Sequence, residues 1–218
     1  VAVKPYYERD GITLYHGDCR EVLAEVQDVG LVLTDPPYGI AHPTNYHTVG
    51  RDALAPCRDW GEQITGDAEP FDPSPFLRWP CILWGANYYA SRLPESSGWL
   101  VWDKLRPHDL DQATCEMAWT NFVKGARVFR HLWHGMIRGS EKSELLHPMQ
   151  KPLVRMEWCL SLKWTPPGLV LDPYCGSGPV LEAAHKLGRS AIGIEIEERW
   201  CEVAARRLDQ GVLALEPR

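Results

Sequence analysis

Two rhythms of apolar residues alternate along the chain, and together they predict its fold class. Continuous apolar runs bounded by turn formers read as strands covered on both faces: GITLYHGD (11–18), LVLTD (31–35), CILWGA (81–86), GWLVWDK (98–104), GLVLDP (168–173) and SAIGIEI (190–196). Segments with helical spacing lie between or after them: CREVLAEV (19–26), PLVRMEWCLSLKW (152–164), GPVLEAAHKLG (178–188) and ERWCEVAARRL (198–208). Pro152 suits a first helical position. CEMAWTNF (115–122) and ARVFRHLW (126–133) alternate as an antiparallel pair would, and the tail VLALEP (212–217) predicts a last strand. Strands alternating with helices imply an α/β fold, a Rossmann-like doubly wound and mostly parallel sheet in one domain over 1–218. Residues 40–66 carry no period and are rich in Gly, Pro, Asn, His and Asp, as a functional lid loop would be.

In such sheets ligands bind beyond the carboxyl ends of the strands. Those ends here hold Asp18, Asp35, Trp84, Asp103, Lys104, Asp172 and Glu195. One of them opens an unusual corner, TDPPYG (34–39), with an acid, two prolines, a tyrosine and a glycine directly after an apolar strand. A second strand end runs into a glycine loop, DPYCGSGP (172–179), with Gly176, Ser177 and Gly178 before a helix and Glu195 closing the next strand. Glycines let a backbone turn sharply and approach a ligand, and a later strand-end acid accepts hydrogen bonds from ribose hydroxyls. The loop lacks the Gly-Lys-Ser/Thr of a phosphate-binding loop, and Leu181 stands where a dinucleotide site wants glycine. Asp172 would repel a pyrophosphate but suits the ammonium of an amino acid, which favours S-adenosylmethionine over a dinucleotide.

Composition adds limits. The 218 residues are 44% hydrophobic, with no apolar run that could span a bilayer. A cytoplasmic protein with no membrane and no metal partner is the expectation. Seven cysteines without a CxxC pair support neither zinc nor a disulfide framework, and His131 and His134 have no acid or cysteine nearby to complete a metal site. The net charge of −6 does not advertise nucleic-acid binding. Distribution matters more than the sum: 121–140 contains Lys124, Arg127, Arg130 and Arg138, interleaved with His131, Trp133 and His134, and no acid, a pattern that suits either nucleic-acid contact or an ordinary solvated strand face.

TDPPYG, then LHPMQKP (146–152), then LDPYCGSG (171–178) resemble the amino-group DNA methyltransferases, in the circularly permuted order of the beta class. HGDCREVL, WGANYY and VWDK resemble small phage-type members. The resemblance implies S-adenosylmethionine as cofactor, held by Asp172, Tyr174, Gly176, Ser177 and Gly178, with Glu195 and Ile196 at the ribose. It places Asp18 and Cys19 at the adenine edge, and His147, Gln150 and Lys151 at the methionine end, with Lys151 a partner for the carboxylate. Pro179 stands where the family often has threonine.

The catalytic motif implied is Asp35, Pro36, Pro37 and Tyr38. An exocyclic amino nitrogen is a poor nucleophile until its hydrogens are held, and Asp35 and the Pro36 carbonyl, stiffened by proline geometry, are the two acceptors. Tyr38 offers a ring for the flipped base. Trp84 and Asn87 would line the cleft, and Lys104, Arg127, Arg130 and Arg138 would meet DNA, with 105–146 as a small target-recognition insertion. Asp at the first motif position leans towards adenine N6. N4-cytosine methylation, or a degenerate methyltransferase serving as a DNA-binding or partner subunit, are the alternatives, and a homodimer is the assembly implied by relatives.

Overall fold

The computed structural model describes residues 3–41, 65–106, 113–134, 137–141, 146–147 and 149–215. The expected lid falls for the most part, over 42–64, outside these residues. The strands are β1 (Tyr7–Arg9), β2 (Ile12–His16), β3 (Val29–Thr34), β4 (Cys81–Trp84), β5 (Gly98–Asp103), β6 (Cys115–Thr120), β7 (Ala126–Arg130), β8 (Trp133–His134), β9 (Ile137–Arg138), β10 (Leu169–Asp172) and β11 (Ala191–Glu195). The helices are α1 (Cys19–Val22), α2 (Leu153–Ser161), α3 (Pro179–Lys186) and α4 (Glu198–Leu215). Nine strands form one sheet in the order β1-β2-β11-β10-β3-β4-β6-β5-β7, while β8 and β9 make a separate ribbon. Pairing from β2 through β11, β10 and β3 to β4 is parallel, and β6 runs antiparallel to both β4 and β5.

Alternating strand residues serve two unlike layers. Leu31, Leu33, Ile82, Trp84, Leu100 and Trp102 face the layer made by α2, α3 and α4. Val29, Val32, Cys81, Leu83 and Trp119 face α1, two 3-10 turns around Phe76 and Ala86, and the side chains of Phe71 and Tyr89. Helical cover is therefore thick on one face and thin on the other, and the thin face supplies the aromatic wall of the cavity described below.

Three expectations are corrected. ARVFRHLW does not pair with CEMAWTNF: β6 is inserted between β4 and β5, and β7 lies parallel to β5 at the sheet edge. Alternation identifies a strand but carries no information about its partner, and here close approach chooses. A Cβ on Gly98 of β5 would fall 2.6 Å from the Thr120 carbonyl oxygen at the end of β6. Over residues 212–215 the tail is helix and not strand, because α4 continues to Leu215; extending a formed helix is cheaper than ordering a new strand. The helix expected over 19–26 is one turn long, capped by Asp18 accepting from the Arg20 amide. Of the 105–146 segment, β6 and β7 belong to the main sheet, and the β8–β9 ribbon stands outside it.

Among the described residues no helix is long and apolar enough to cross a membrane, and no group of three or more His, Cys, Asp or Glu could hold a metal.

The sheet is tightest where β3 passes the loop before β10. A Cβ on Gly30 would lie 2.2 Å from the Pro167 carbonyl oxygen. Gly30→Ala should lower stability by about 1–3 kcal/mol, as overpacking against backbone does, read as a shifted midpoint in urea denaturation.

Candidate active site at the carboxyl edge of the sheet

β3 and β10 are adjacent and parallel, so their carboxyl ends emerge side by side. Thr34, the last residue of β3, donates through its hydroxyl to Asp172, the last residue of β10, at 2.7 Å, and both side chains are buried. The corner Asp35–Tyr38 and the loop Pro173–Gly178 then leave the sheet next to each other. Both line a cavity of about 430 Å³, within the range of small-molecule sites. Its walls include Asp18, Cys19, Pro36, Pro37, His147, Ser177, Glu195 and Ile196.

At the glycine-loop end the backbone amides are already engaged. The Gly176 amide donates to Glu195 Oε2 at 2.9 Å, the Tyr174 amide to Asp172 Oδ1 at 3.2 Å, and the Gly178 amide to the Cys175 carbonyl. A phosphate would find these donors occupied, which agrees with the expectation against a nucleotide phosphate site. Glu195 Oε1 also accepts from the Glu197 amide, and burial raises the Glu195 carboxyl. Gly176 and Gly178 both lie at positive φ, where other residues are strained. A Cβ on Gly178 would in addition press on Ala204 of α4 at 3.0 Å.

Burial lifts the Asp172 carboxyl to about 7, against the opposing bonds from Thr34 and Tyr174. His147 is the reverse case: burial holds its ring neutral, with its pKa near 3. The Met149 amide donates to His147 Nδ1, which places the ring hydrogen on Nε2, on the side of Gly176. Tyr174 packs edge-on against Phe71 and Phe76, which also line the cavity. The sequence reading missed these two phenylalanines, since nothing in their spacing ties them to a motif.

The corner at Asp35 is more heavily charged than its motif implies. Asp35 Oδ2 accepts from Arg155 Nη2 at 2.5 Å and from Lys151 Nζ at 3.0 Å, and Oδ1 accepts from the Tyr38 hydroxyl. Glu116 joins the same cations: its Oε2 lies 2.8 Å from Arg155 Nη1 and 3.3 Å from Lys151 Nζ, and its Oε1 2.8 Å from Lys104 Nζ. Burial pushes the Asp35 carboxyl up, but Lys151 and Arg155 outweigh it and hold it below the usual range. The Tyr38 ring stacks on Tyr88 with centroids 4.9 Å apart. Its other support is bare backbone, because a Cβ on Gly85 would fall 1.9 Å from the ring.

Several expected positions change. Lys151 lines the cavity and also belongs to the Asp35 cluster, paired with Asp35 and Glu116. Gln150 lines the cavity but also braces its own loop, accepting from the Leu146 amide and donating to Glu141. Trp84 is fully buried beneath the corner and does not line the cleft, because its alternate face belongs to the α2 side. Asn87 is exposed, and its neighbour Tyr88 takes the place beside Tyr38.

Lys104 pairs inward with Glu116, so it too is part of the cluster. Arg127, second residue of β7, stacks on Trp164 near the amino edge of the sheet, remote from the corner. Arg130, last residue of β7, lies at the carboxyl edge beside Asp103, and Arg138 packs over Trp133 on the ribbon.

The comparisons with known proteins agree on one family. A family model described as DNA methylase, of the N6/N4 group, matches residues 101–206. The type II methyltransferase M.ScaI of Streptomyces caespitosus is 27% identical over an alignment covering 94% of this chain and 84% of that protein. M2.LlaDCHI of Lactococcus lactis subsp. cremoris is 24% identical, covering 95% and 93%. Among solved structures, the M1.HpyAVI–SAM complex superposes with a TM-score of 0.56 at 23% identity, covering 90% of this chain and 100% of that one. The PvuII DNA methyltransferase, titled cytosine-N4-specific, reaches 0.65 at 15% identity, covering 94% and 88%.

Because Asp172 ionises near 3.8 when unfolded and near 7 when folded, its contribution to stability is greatest at low pH and falls as pH rises between those values. In the ligand-free protein Asp172→Asn should therefore be more stabilising at pH 8 than at pH 5, by about 2–4 kcal/mol, measured by urea unfolding at both pH values.

Proposed function

The chain belongs to the amino-group DNA methyltransferases, and we propose that it moves the methyl group of S-adenosylmethionine onto the exocyclic N6 of adenine in DNA. The observation that carries this reading is the single cavity lined at one end by Asp35, Pro36 and Tyr38 and at the other by Gly176, Ser177 and Glu195. A donor seat and an acceptor corner in one space are what a direct transfer between two ligands requires.

The residues present fit the cofactor. Asp172 is placed for an ammonium, Glu195 for ribose hydroxyls, and Phe71, Phe76, Tyr174, Asp18 and Cys19 form a wall of the kind an adenine ring takes. His147 offers an uncharged donor beside Gly176. Bound there, S-adenosylmethionine supplies an electrophilic methyl group on a positively charged sulfur.

The chain's own work is at the base. Both cations sit on Asp35 Oδ2, so Oδ1, where the Tyr38 hydroxyl rests, is the edge turned to an incoming amino group. Asp35 accepts one N–H and the Pro36 carbonyl the other, which directs the nitrogen lone pair at the methyl group. S-adenosylmethionine bound at the other end of the cavity would supply the methyl carbon to that lone pair, its sulfur keeping the electron pair of the carbon–sulfur bond. The nitrogen then sheds a proton, for which ionised Asp35 is the nearest acceptor. Tyr38, backed by the half-exposed ring of Tyr88, provides the stacking platform for a base taken out of the duplex. Phosphate contact is assigned to Arg130, exposed at the same edge as the corner.

The fold does not choose the base, since the PvuII protein with the same architecture is titled cytosine-N4-specific. The adenine assignment leans on Asp35 at the first motif position. Nucleoside analysis of DNA from a host expressing the chain should find N6-methyladenine, absent in an Asp35→Ala control. Finding N4-methylcytosine instead would overturn the choice of base.

Cofactor affinity should also rise with pH. Asp172 with a pKa of about 7 is mostly protonated at pH 6 and mostly ionised at pH 8. Titration calorimetry should show S-adenosylmethionine binding about ten-fold tighter at pH 8, and Asp172→Asn should bind weakly with that pH dependence gone.

A further inference from the structure

We propose that Arg155 is a positioning residue for the transfer reaction, holding the Asp35 carboxylate in place through one ion pair while Glu116 holds Arg155 through another. The inference rests on the reading of Asp35 as the acceptor of the amino group.

Arg155 lies in the first turn of α2 with no exposed surface, and it is absent from the cavity wall. It therefore touches neither base nor cofactor, and any influence on the reaction passes through Asp35. Its guanidinium is held between two carboxylates and two indole rings. One nitrogen meets Asp35 at 2.5 Å and another meets Glu116 at 2.8 Å. The indole rings of Trp84 and Trp102 lie 4.2 and 5.1 Å from its central carbon. Such a clamp sets where the Asp35 oxygens lie. The rigid fork of arginine can join two carboxylates at defined angles in a way a lysine ammonium cannot.

Stability alone is a poor reason for this arrangement. Burying a guanidinium costs several kcal/mol before its partners compensate, and apolar residues of similar size commonly serve a core equally well. The Arg155 Nε has no hydrogen-bond partner, so the group is not even fully satisfied. Lys151 is no substitute, because its ammonium is divided among Asp35, Glu116 and the Tyr38 hydroxyl and borders the cavity.

The clamp also sets charge. Asp35 is faced by Lys151 from the loop before α2, Arg155 and Cys159 from α2, Glu116 from β6, Tyr38 from its own loop, Tyr89 from the turn after β4 and, farther off, Asp172 from β10. Of these Lys151 and Arg155, and the hydrogen bond donated by the Tyr38 hydroxyl, favour the ionised carboxylate. With Arg155 removed, burial and Glu116 oppose only Lys151 and the Tyr38 hydrogen bond, so the Asp35 carboxyl must titrate at higher pH. Activity that needs ionised Asp35 would then fade at a higher pH as the solution is acidified.

The test compares full-length wild type, Arg155→Met and Arg155→Lys by steady-state methylation of DNA across pH, S-adenosylmethionine binding, and ¹³C NMR titration of the Asp35 carboxyl, assigned with Asp35→Asn. Arg155→Met should lower kcat about 100-fold while KM for DNA and cofactor affinity stay within about three-fold. The acid limb of kcat and the Asp35 titration should both move up by about one pH unit or more. Arg155→Lys should fall between, and it carries the decision if Arg155→Met does not fold. Wild-type kcat and an unmoved Asp35 titration in either folded variant would overturn the proposal. Wild-type protein that transfers no methyl group would refute the methyltransferase reading instead, and the NMR titration would still decide whether Arg155 governs Asp35.

Discussion

The parallel pairing of β3 with β10 is the constraint on which the site depends. It joins Thr34 to Asp172 across 138 positions of sequence and makes two loops leave the sheet at the same edge. Parallel strands cannot be joined by a tight turn, so each end is free to carry a long functional loop, and neighbouring strands bring those loops within a few ångströms. The buried Thr34–Asp172 hydrogen bond fixes the two strand ends relative to each other, and each controls one half of the cavity. At the opposite end of this pairing the register shifts by one residue at Gly30, where β3 closely passes the Pro167 carbonyl before β10.

Around this pairing the protein separates two electrostatic tasks. At the glycine-loop end a carboxyl is left without a buried cation among its contacts, and burial raises it towards neutrality. At the catalytic corner, Lys104, Lys151 and Arg155 surround Asp35 and Glu116, and the cations prevail over burial. Two aspartates at equivalent strand ends thus have opposite acidities, for reasons found in their neighbours. The first can respond to a positively charged ligand, and the second stays ready to accept hydrogen bonds.

The motifs were legible because their chemistry is local. DPPY states its own geometry through two prolines, and the GSG loop states the positive φ that its turn needs. The members of the charge cluster were not legible in this way. Glu116 looked like a polar residue on an alternating strand, and Arg155 like one charge on an amphipathic helix. Lys104 and Arg127 were grouped with the surface basic residues, although one turns inward to Glu116 and the other stacks on Trp164. Trp84 was placed at the cleft because its strand ends there, but its face of the pleat belongs to the core.

By itself the sequence determined the alternating α/β plan, the order of the two motifs and the class of chemistry they serve, because periodicity and loop composition act over a few neighbouring residues. Tertiary structure alone decided that β6 enters the sheet between β4 and β5, that Arg155 and Glu116 meet beneath Asp35, and that Tyr88 backs Tyr38. Strand partners and buried ion pairs depend on which distant surfaces exclude water together, and no local pattern encodes that choice.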